Sequence, residues 1–312
     1  MSPTPSPSMI SDNPLSRALT AINQVVVGKP EATRLALCCL LAKGHLLIED
    51  VPGVGKTTLA HTLARVLGLD YQRIQFTSDL LPADILGVSI YDRSDNAFHF
   101  HRGPAFTQLL LADEINRATP KAQSALLEAM EEQQITTDGQ TYDLPQPFFV
   151  VATQNPTTQI GTYPLPESQL DRFLMRISLG YPDAVAERAL LGGDDRRELL
   201  QELEPQLQVS QLLQLQHSVS QVHCAPALLD YVQALLQFTR ESGLWTQGLS
   251  PRAGLGLIHA ARAWALIEER AQVIPEDVQA VLPAVAGHRL SSLDGNAPDT
   301  SVVQLIEGVP IP

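Results

Sequence analysis

The stretch His45-Leu-Leu-Ile-Glu-Asp-Val-Pro-Gly-Val-Gly-Lys-Thr-Thr58 constrains this chain more than any other. A short apolar run feeds a glycine-rich turn closed by Gly55-Lys56-Thr57, and a helical pattern begins at once. Strand, tight loop and helix N-terminus in that order aim successive backbone N–H groups at one spot, the geometry that a phosphate chain requires. Pro52, Gly53, Val54, Gly55, Lys56, Thr57 and Thr58 form the candidate cradle. Lys56 would neutralise the terminal phosphates and the Thr57 hydroxyl would ligate Mg²⁺. The general spacing asks for glycine at position 50, where this chain has Asp50. Aspartate tolerates turn conformations better than most residues do, but its carboxylate has to turn away from the phosphates.

A second element supports the first. Leu109-Leu-Leu-Ala-Asp113-Glu114 is an apolar strand ending in two acids. Adjacent side chains on a strand point to opposite sides, so the two carboxylates can take different tasks. Asp113 would hold the Mg²⁺ through water, and Glu114 would polarise an attacking water. Downstream, a strand from Phe148 ends at Asn155, whose amide either orients that water or senses the last phosphate. Arg172 stands just before a further apolar run, and Arg252 stands in the first turn of a later helix, directly after Pro251. Two arginines so far apart in one chain suggest different jobs.

Up to about Pro182, apolar runs at 45–49, 72–76, 108–113, 148–153 and 174–178 alternate with helical patterns, notably 57–67 and 120–133. Such alternation predicts an α/β fold with a mostly parallel sheet. Beyond Pro182 the strand signal disappears. Residues 226–241, 251–270 and 275–286 begin with proline and carry apolar residues at three-to-four spacing, which predicts amphipathic helices. The expected organisation is a disordered Pro/Ser-rich arm over 1–13, an α/β core over 14–182 and a helical domain over 183–312. In the tail, 302–306 is expected as one last helical turn. Two insertions read as hairpins: 84–103, and 133–146 around Asp138-Gly139. His99 and His101 alternate on one strand face without a third ligand at useful spacing, which favours exposed strand histidines over a metal site.

Composition narrows the function. The 312 residues suffice for a sizeable core without disulfide or metal staples. Cys38 and Cys39 are adjacent inside an apolar run and Cys224 is remote, so core packing in a reducing compartment is expected. The N-terminus lacks a signal-peptide pattern, and no run reaches the ~18 apolar residues of a membrane span, so a cytoplasmic protein without membrane association is expected. The net charge of −13 argues against nucleic acid as substrate. The second hairpin holds Asp138 and Asp143 but neither lysine nor arginine, whereas a DNA-gripping loop needs cations for the phosphates.

As a set, the phosphate loop, Asp113-Glu114, Asn155, Arg172 and Arg252 resemble the AAA+ ATPases. The wording is closer to the MoxR branch: 48–57, 110–118, 123–130, 152–156, 165–173, 250–253 and 275–278 all look like its motifs, and aspartate is usual there at position 50. The similarity runs from about Leu15 to Pro312. It implies a P-loop core with strand order 5-1-4-3-2 and a C-terminal all-α lid. ATP would lie between them, with Val26, Val27 and Gly28 near the adenine. Arg172 resembles the arginine finger that reaches a neighbouring subunit's γ-phosphate, and Arg252 the lid sensor that touches the subunit's own nucleotide. The resemblance further implies a ring, usually of six subunits. It would hydrolyse ATP with Mg²⁺ to remodel a protein client, often beside a partner with a von Willebrand factor A domain. A nucleic-acid motor and a nucleotide-dependent switch with little turnover are the competing readings on the same fold.

Overall fold

The computed structural model describes residues 13–155, 162–193, 196–293 and 298–311; apart from Asn13, the arm expected over 1–13 lies outside them. Five parallel strands make the sheet: β1 (Leu46–Glu49), β2 (Tyr71–Gln75), β5 (Leu109–Asp113), β8 (Phe149–Gln154) and β9 (Met175–Ile177). Their spatial order is β2-β5-β8-β1-β9, which is the expected 5-1-4-3-2 read from the opposite edge. β5 and β8 are buried along their whole length. That follows from their apolar runs, 109–112 and 149–152, because inner parallel strands are covered on both faces. The edge strand β2 buries only Ile74.

Two helices precede the sheet, α1 (Pro14–Val25) and α2 (Pro30–Leu41). Asn13 caps the first through the Leu15 N–H. α2 is buried almost all round, Cys38 and Cys39 included, because it lies between the sheet and the C-terminal helices. α3 (Lys56–Val66) opens directly out of the phosphate loop. α4 (Pro82–Leu86) leads into a hairpin of β3 (Gly87–Asp92) and β4 (Ala97–Arg102). After β5 a 3₁₀ turn (Ile115–Arg117) precedes α5 (Pro120–Glu132), capped by Thr119. The second hairpin, β6 (Gln134–Thr137) and β7 (Gln140–Asp143), turns at Asp138 (φ 50°) and Gly139 (φ 76°), the paired positive φ that a two-residue hairpin demands.

After α6 (Glu167–Leu170) and β9, the described residues form helices: α7 (Ala184–Gly192), α8 (Arg196–Glu202), α9 (Val209–Gln221), α10 (Pro226–Glu241), α11 (Pro251–Ile267), α12 (Pro275–Ala286) and α13 (Pro298–Gly308). The last corrects the expectation of a single turn at 302–306. Its apolar residues Val302 and Leu305 are fully buried and Val309 follows at helical spacing, so the segment gains three turns by packing on α10 and α12. One apolar core joins α1–α3, one face of the sheet and the C-terminal helices, while α4 and α5 cover the other face. Among the described residues no helix is long and apolar enough to cross a membrane. The fold thus leaves the C-terminal ends of β1, β5 and β8 side by side at one rim, where open α/β sheets place their ligands.

Candidate active site

Between β1 and α3 the chain turns on Gly53 (φ 87°) and Gly55 (φ 99°), a backbone region that side chains avoid. A Cβ on either glycine would meet nothing within 4 Å, so both face open space. Gly55 caps α3 without any side-chain bond, which leaves the first-turn N–H groups directed at that space. The resulting cavity of about 320 Å³ is lined by Pro52, Gly53, Gly55, Lys56, Thr57, Thr58, Asp113, Glu114 and Asn155. Val54, expected in the cradle, packs instead against the core.

Lys56 lies deep in this site. Its ammonium donates to the Asp50 carbonyl (2.5 Å), Asn155 Oδ1 (3.0 Å) and the Gln154 carbonyl (3.5 Å). Burial holds its pKa below the ordinary lysine range, against the upward pull of Asp50, Asp113, Glu114 and Glu49. Asn155 Nδ2 donates to Glu114 Oε1 at 3.1 Å, so a single amide spans the cation and the acid. Glu114 sits in left-handed backbone (φ 55°), and its N–H donates to Thr153 Oγ1. Its other carboxylate oxygen accepts from Gln75 (2.9 Å) and pairs with Arg117 (2.9 Å). Asp113 accepts from the Thr153 hydroxyl (2.6 Å) and from Arg73 (2.6 Å). The two adjacent acids therefore have separate partners, apart from Thr153, which serves both. Thr57 and Asp113 offer only oxygen donors, a set suited to Mg²⁺.

Arg73, Gln75 and Thr153 escape motif reading. A signal existed nonetheless. Arg73 and Gln75 alternate on a strand that neighbours the acidic one, and Gln75 lies in register with Asp113. Pairing the strands before reading motifs would place both on the face of that acid.

The structure separates the two distant arginines from the phosphate loop and brings them to each other. Arg172 and Arg252 each meet Glu131 of α5 at 3.2 Å. With Lys43, His45, Asp171 and Arg289 they line a second cavity of about 290 Å³, which shares no lining residue with the first. His45 precedes β1 at this cavity and Asp50 follows β1 at the phosphate loop, five residues or roughly 16 Å of extended chain away. Arg252 thus lies at a cavity separate from the phosphate loop. The cause is the docking of α11: Gly256 packs so tightly on Leu174 beside β9 that an added Cβ would approach it to 2.8 Å. Glu131 is one of three glutamates on α5, and nothing in the sequence singles it out.

A third cavity, of about 750 Å³, lies beside β1 and β9 and is lined by Gly28, Lys29, Glu49, Arg176, Ser178 and Leu179 among others. Of the three residues expected near the adenine, Gly28 lines it. Val26 is buried in the core, and Val27 is not on the wall. On the first hairpin, His99 meets Asp95 (2.5 Å), with Asp92 nearby; His101 is not part of the group. All three residues are exposed, and the carboxylates already bond Ser94 and Ala97 in the turn.

Residues 45–175 match the family described as "ATPase family associated with various cellular activities (AAA)", and residues 237–307 match "AAA lid domain". The chain is 44% identical to the uncharacterized protein YeaC of Bacillus subtilis (strain 168), over 96% of this chain and 95% of that one. It is 42% identical to the Chaperone MoxR1 of Mycobacterium tuberculosis, covering 96% of this chain and 82% of that protein. Among solved structures, a putative ATPase from Cytophaga hutchinsonii superposes with a TM-score of 0.86 at 35% identity, covering 96% and 95% of the two chains.

Proposed function

The chain belongs to the MoxR family of AAA+ ATPases, and we propose that it works as a hexameric cytoplasmic ring that spends ATP on remodelling a protein client. Membership brings ATPase activity, with the nucleotide and Mg²⁺ binding general to the family. In this reading residues 14–182 form the nucleotide-binding core and 183–312 the lid.

The site residues then take the following roles. The loop N–H groups and Lys56 would hold the phosphates, while Thr57 and Asp113 would hold Mg²⁺, which when bound shields phosphate charge. Glu114 polarises the attacking water. Asn155, joined to both Lys56 and Glu114, registers the γ-phosphate at the cation and aligns the acid in the same movement.

The pairing of Arg172 and Arg252 at Glu131, remote from the subunit's own phosphate loop, carries the ring reading. Guanidinium groups that line a cavity apart from the phosphate loop of their own subunit are suited to serving the phosphates of a neighbour. Both arginines would then act in trans, stabilising charge on the transferring phosphoryl group. A protein client is supported by the first hairpin, which exposes Val88, Ile90, Tyr91 and Phe98, the last 71% exposed. The cation-free second hairpin and the net charge of −13 weigh against nucleic acid. A partner with a von Willebrand factor A domain remains part of the proposal through the family resemblance.

Two measurements test this reading together. Native mass with ATP should give a multiple of the 33.9 kDa subunit consistent with a ring, and duplex or single-stranded DNA should leave hydrolysis unchanged at physiological salt. A monomer at micromolar concentration with ATP would overturn the ring, and DNA-stimulated turnover would bring the nucleic-acid motor forward.

A further inference from the structure

Asp50 stands where the general phosphate-loop pattern has glycine, and its carboxylate accepts four hydrogen bonds. Oδ2 accepts from the Ser178 hydroxyl (2.9 Å), the Leu179 N–H (2.7 Å) and the Gly180 N–H (2.6 Å). Oδ1 accepts from the Val51 N–H at 2.8 Å. The residue is 8% exposed. Burial raises its pKa, but the bonds from Gly180, Ser178, Val51 and Leu179 prevail and hold the carboxyl below the ordinary aspartate range. Gly180 lies in left-handed backbone (φ 60°), which helps turn its N–H and that of Leu179 onto the same oxygen.

Those donors belong to the segment leaving β9 toward the helical domain. Ser178 and Leu179 form one wall of the 750 Å³ cavity, and Gly28 and Lys29 form another. Lys29 Nζ donates to the Tyr181 carbonyl (2.6 Å), so the two walls are joined just beyond the nest. On its other side, the Asp50 carbonyl accepts from Lys56 Nζ. A single residue thus bonds the phosphate-holding lysine through its backbone and the wall of the neighbouring cavity through its carboxylate.

We propose that Asp50 is a positioning residue that sets the register between the phosphate loop and the cavity taking the base and ribose of the nucleotide. This rests on the ATPase reading above and extends it. With glycine at position 50 the 178–180 segment would lose three hydrogen bonds to the loop at a single stroke, leaving the spacing of the two halves of the site to the pairing of β1 with β9 and the Lys29–Tyr181 bond. The carboxylate makes no bond to the loop N–H groups that face the phosphates. Its loss therefore weakens recognition of the nucleoside and leaves recognition of the triphosphate.

The test compares ATP with inorganic tripolyphosphate, titrated calorimetrically into protein carrying Glu114→Gln to stop turnover. The parent should bind ATP more tightly than tripolyphosphate. Asp50→Gly and Asp50→Asn should lower ATP affinity tenfold or more while tripolyphosphate affinity stays within twofold. Ser178→Ala, which removes one donor and leaves the loop sequence intact, should move ATP affinity the same way by a smaller factor. This keeps the test valid where an Asp50 variant fails to fold. Equal losses for both ligands would reduce Asp50 to a general support of the loop and overturn the proposal, as would unchanged ATP affinity in all three variants. A parent that binds both ligands equally would also overturn it, whereas a parent that binds neither would overturn the ATPase reading itself.

Discussion

Arg73→Gln should make the protein favour magnesium-bound over metal-free ATP more strongly than the parent does. The Arg73 guanidinium donates to Asp113 Oδ2 through Nη2 (2.6 Å) and Nε (3.2 Å), on the acid assigned to the Mg²⁺ side of the site. It would therefore compete with the water shell of a bound metal for the same carboxylate. A charge-assisted hydrogen bond contributes ~1.5–3 kcal/mol when shielded. Arg73 is 48% exposed, so water screens the pair and the competition shrinks to about 0.5–1 kcal/mol. Since 1.4 kcal/mol is tenfold, the ratio of affinities with and without Mg²⁺ should rise about two- to fivefold. Fluorescent-nucleotide titration with Mg²⁺ or with EDTA, in a Glu114→Gln background, reads that ratio directly. A ratio that stays constant or falls would refute the reasoning, because Arg73 and the metal would then not share Asp113.

Lys56→Ala should abolish ATP binding, because the phosphates lose the one cation in their cradle, while Glu114→Gln should bind normally and lose most turnover; equal loss of nucleotide affinity in both variants would contradict the division of labour. Stability should decline as pH falls from about 6.5 toward 4. His45 Nδ1 accepts from the Val150 N–H, so Nε2 carries the proton facing the Met130 carbonyl, and burial pushes the pKa of this neutral ring down to about 4. Between those limits the unfolded chain binds a proton that the folded chain refuses, at up to ~1.4 kcal/mol per pH unit, and His288, also lowered by burial, acts in the same direction. Urea midpoints at pH 7 and pH 5 that coincide would contradict this.

Much of the fold was legible because its elements announce themselves locally. The inner strands β5 and β8 each open on an apolar run of four residues, and the prolines at 120, 226, 251 and 275 mark helix starts that the structure reproduces. The phosphate loop was legible for the same reason, being a contiguous stretch whose glycines and lysine line one cavity together. What stayed hidden depends on tertiary approach. Arg73 becomes a site residue only because β2 pairs with β5, and Glu131 only because the starts of α11 and β9 converge on α5. Arg252 was legible as a first-turn arginine, but its meeting with Glu131 was not, since no local pattern tells where a helix will dock. The three turns of α13 were underestimated because a Gly/Asp/Ser-rich approach masks an apolar spacing that only packing on α10 and α12 makes decisive.

Mixing two inactive variants, Arg172→Ala and Glu114→Gln, tests the central claim of shared sites between subunits most directly. Each alone should bind ATP and hydrolyse it poorly, since an arginine finger contributes ~10³–10⁵ in rate. In a mixed ring, an Arg172→Ala subunit keeps Glu114 and receives an intact finger from its Glu114→Gln neighbour, so those sites are complete. Hydrolysis should return once subunits have exchanged, which native mass confirms. Mixed rings that form and remain inactive, or an Arg172→Ala protein with normal turnover, would contradict the claim.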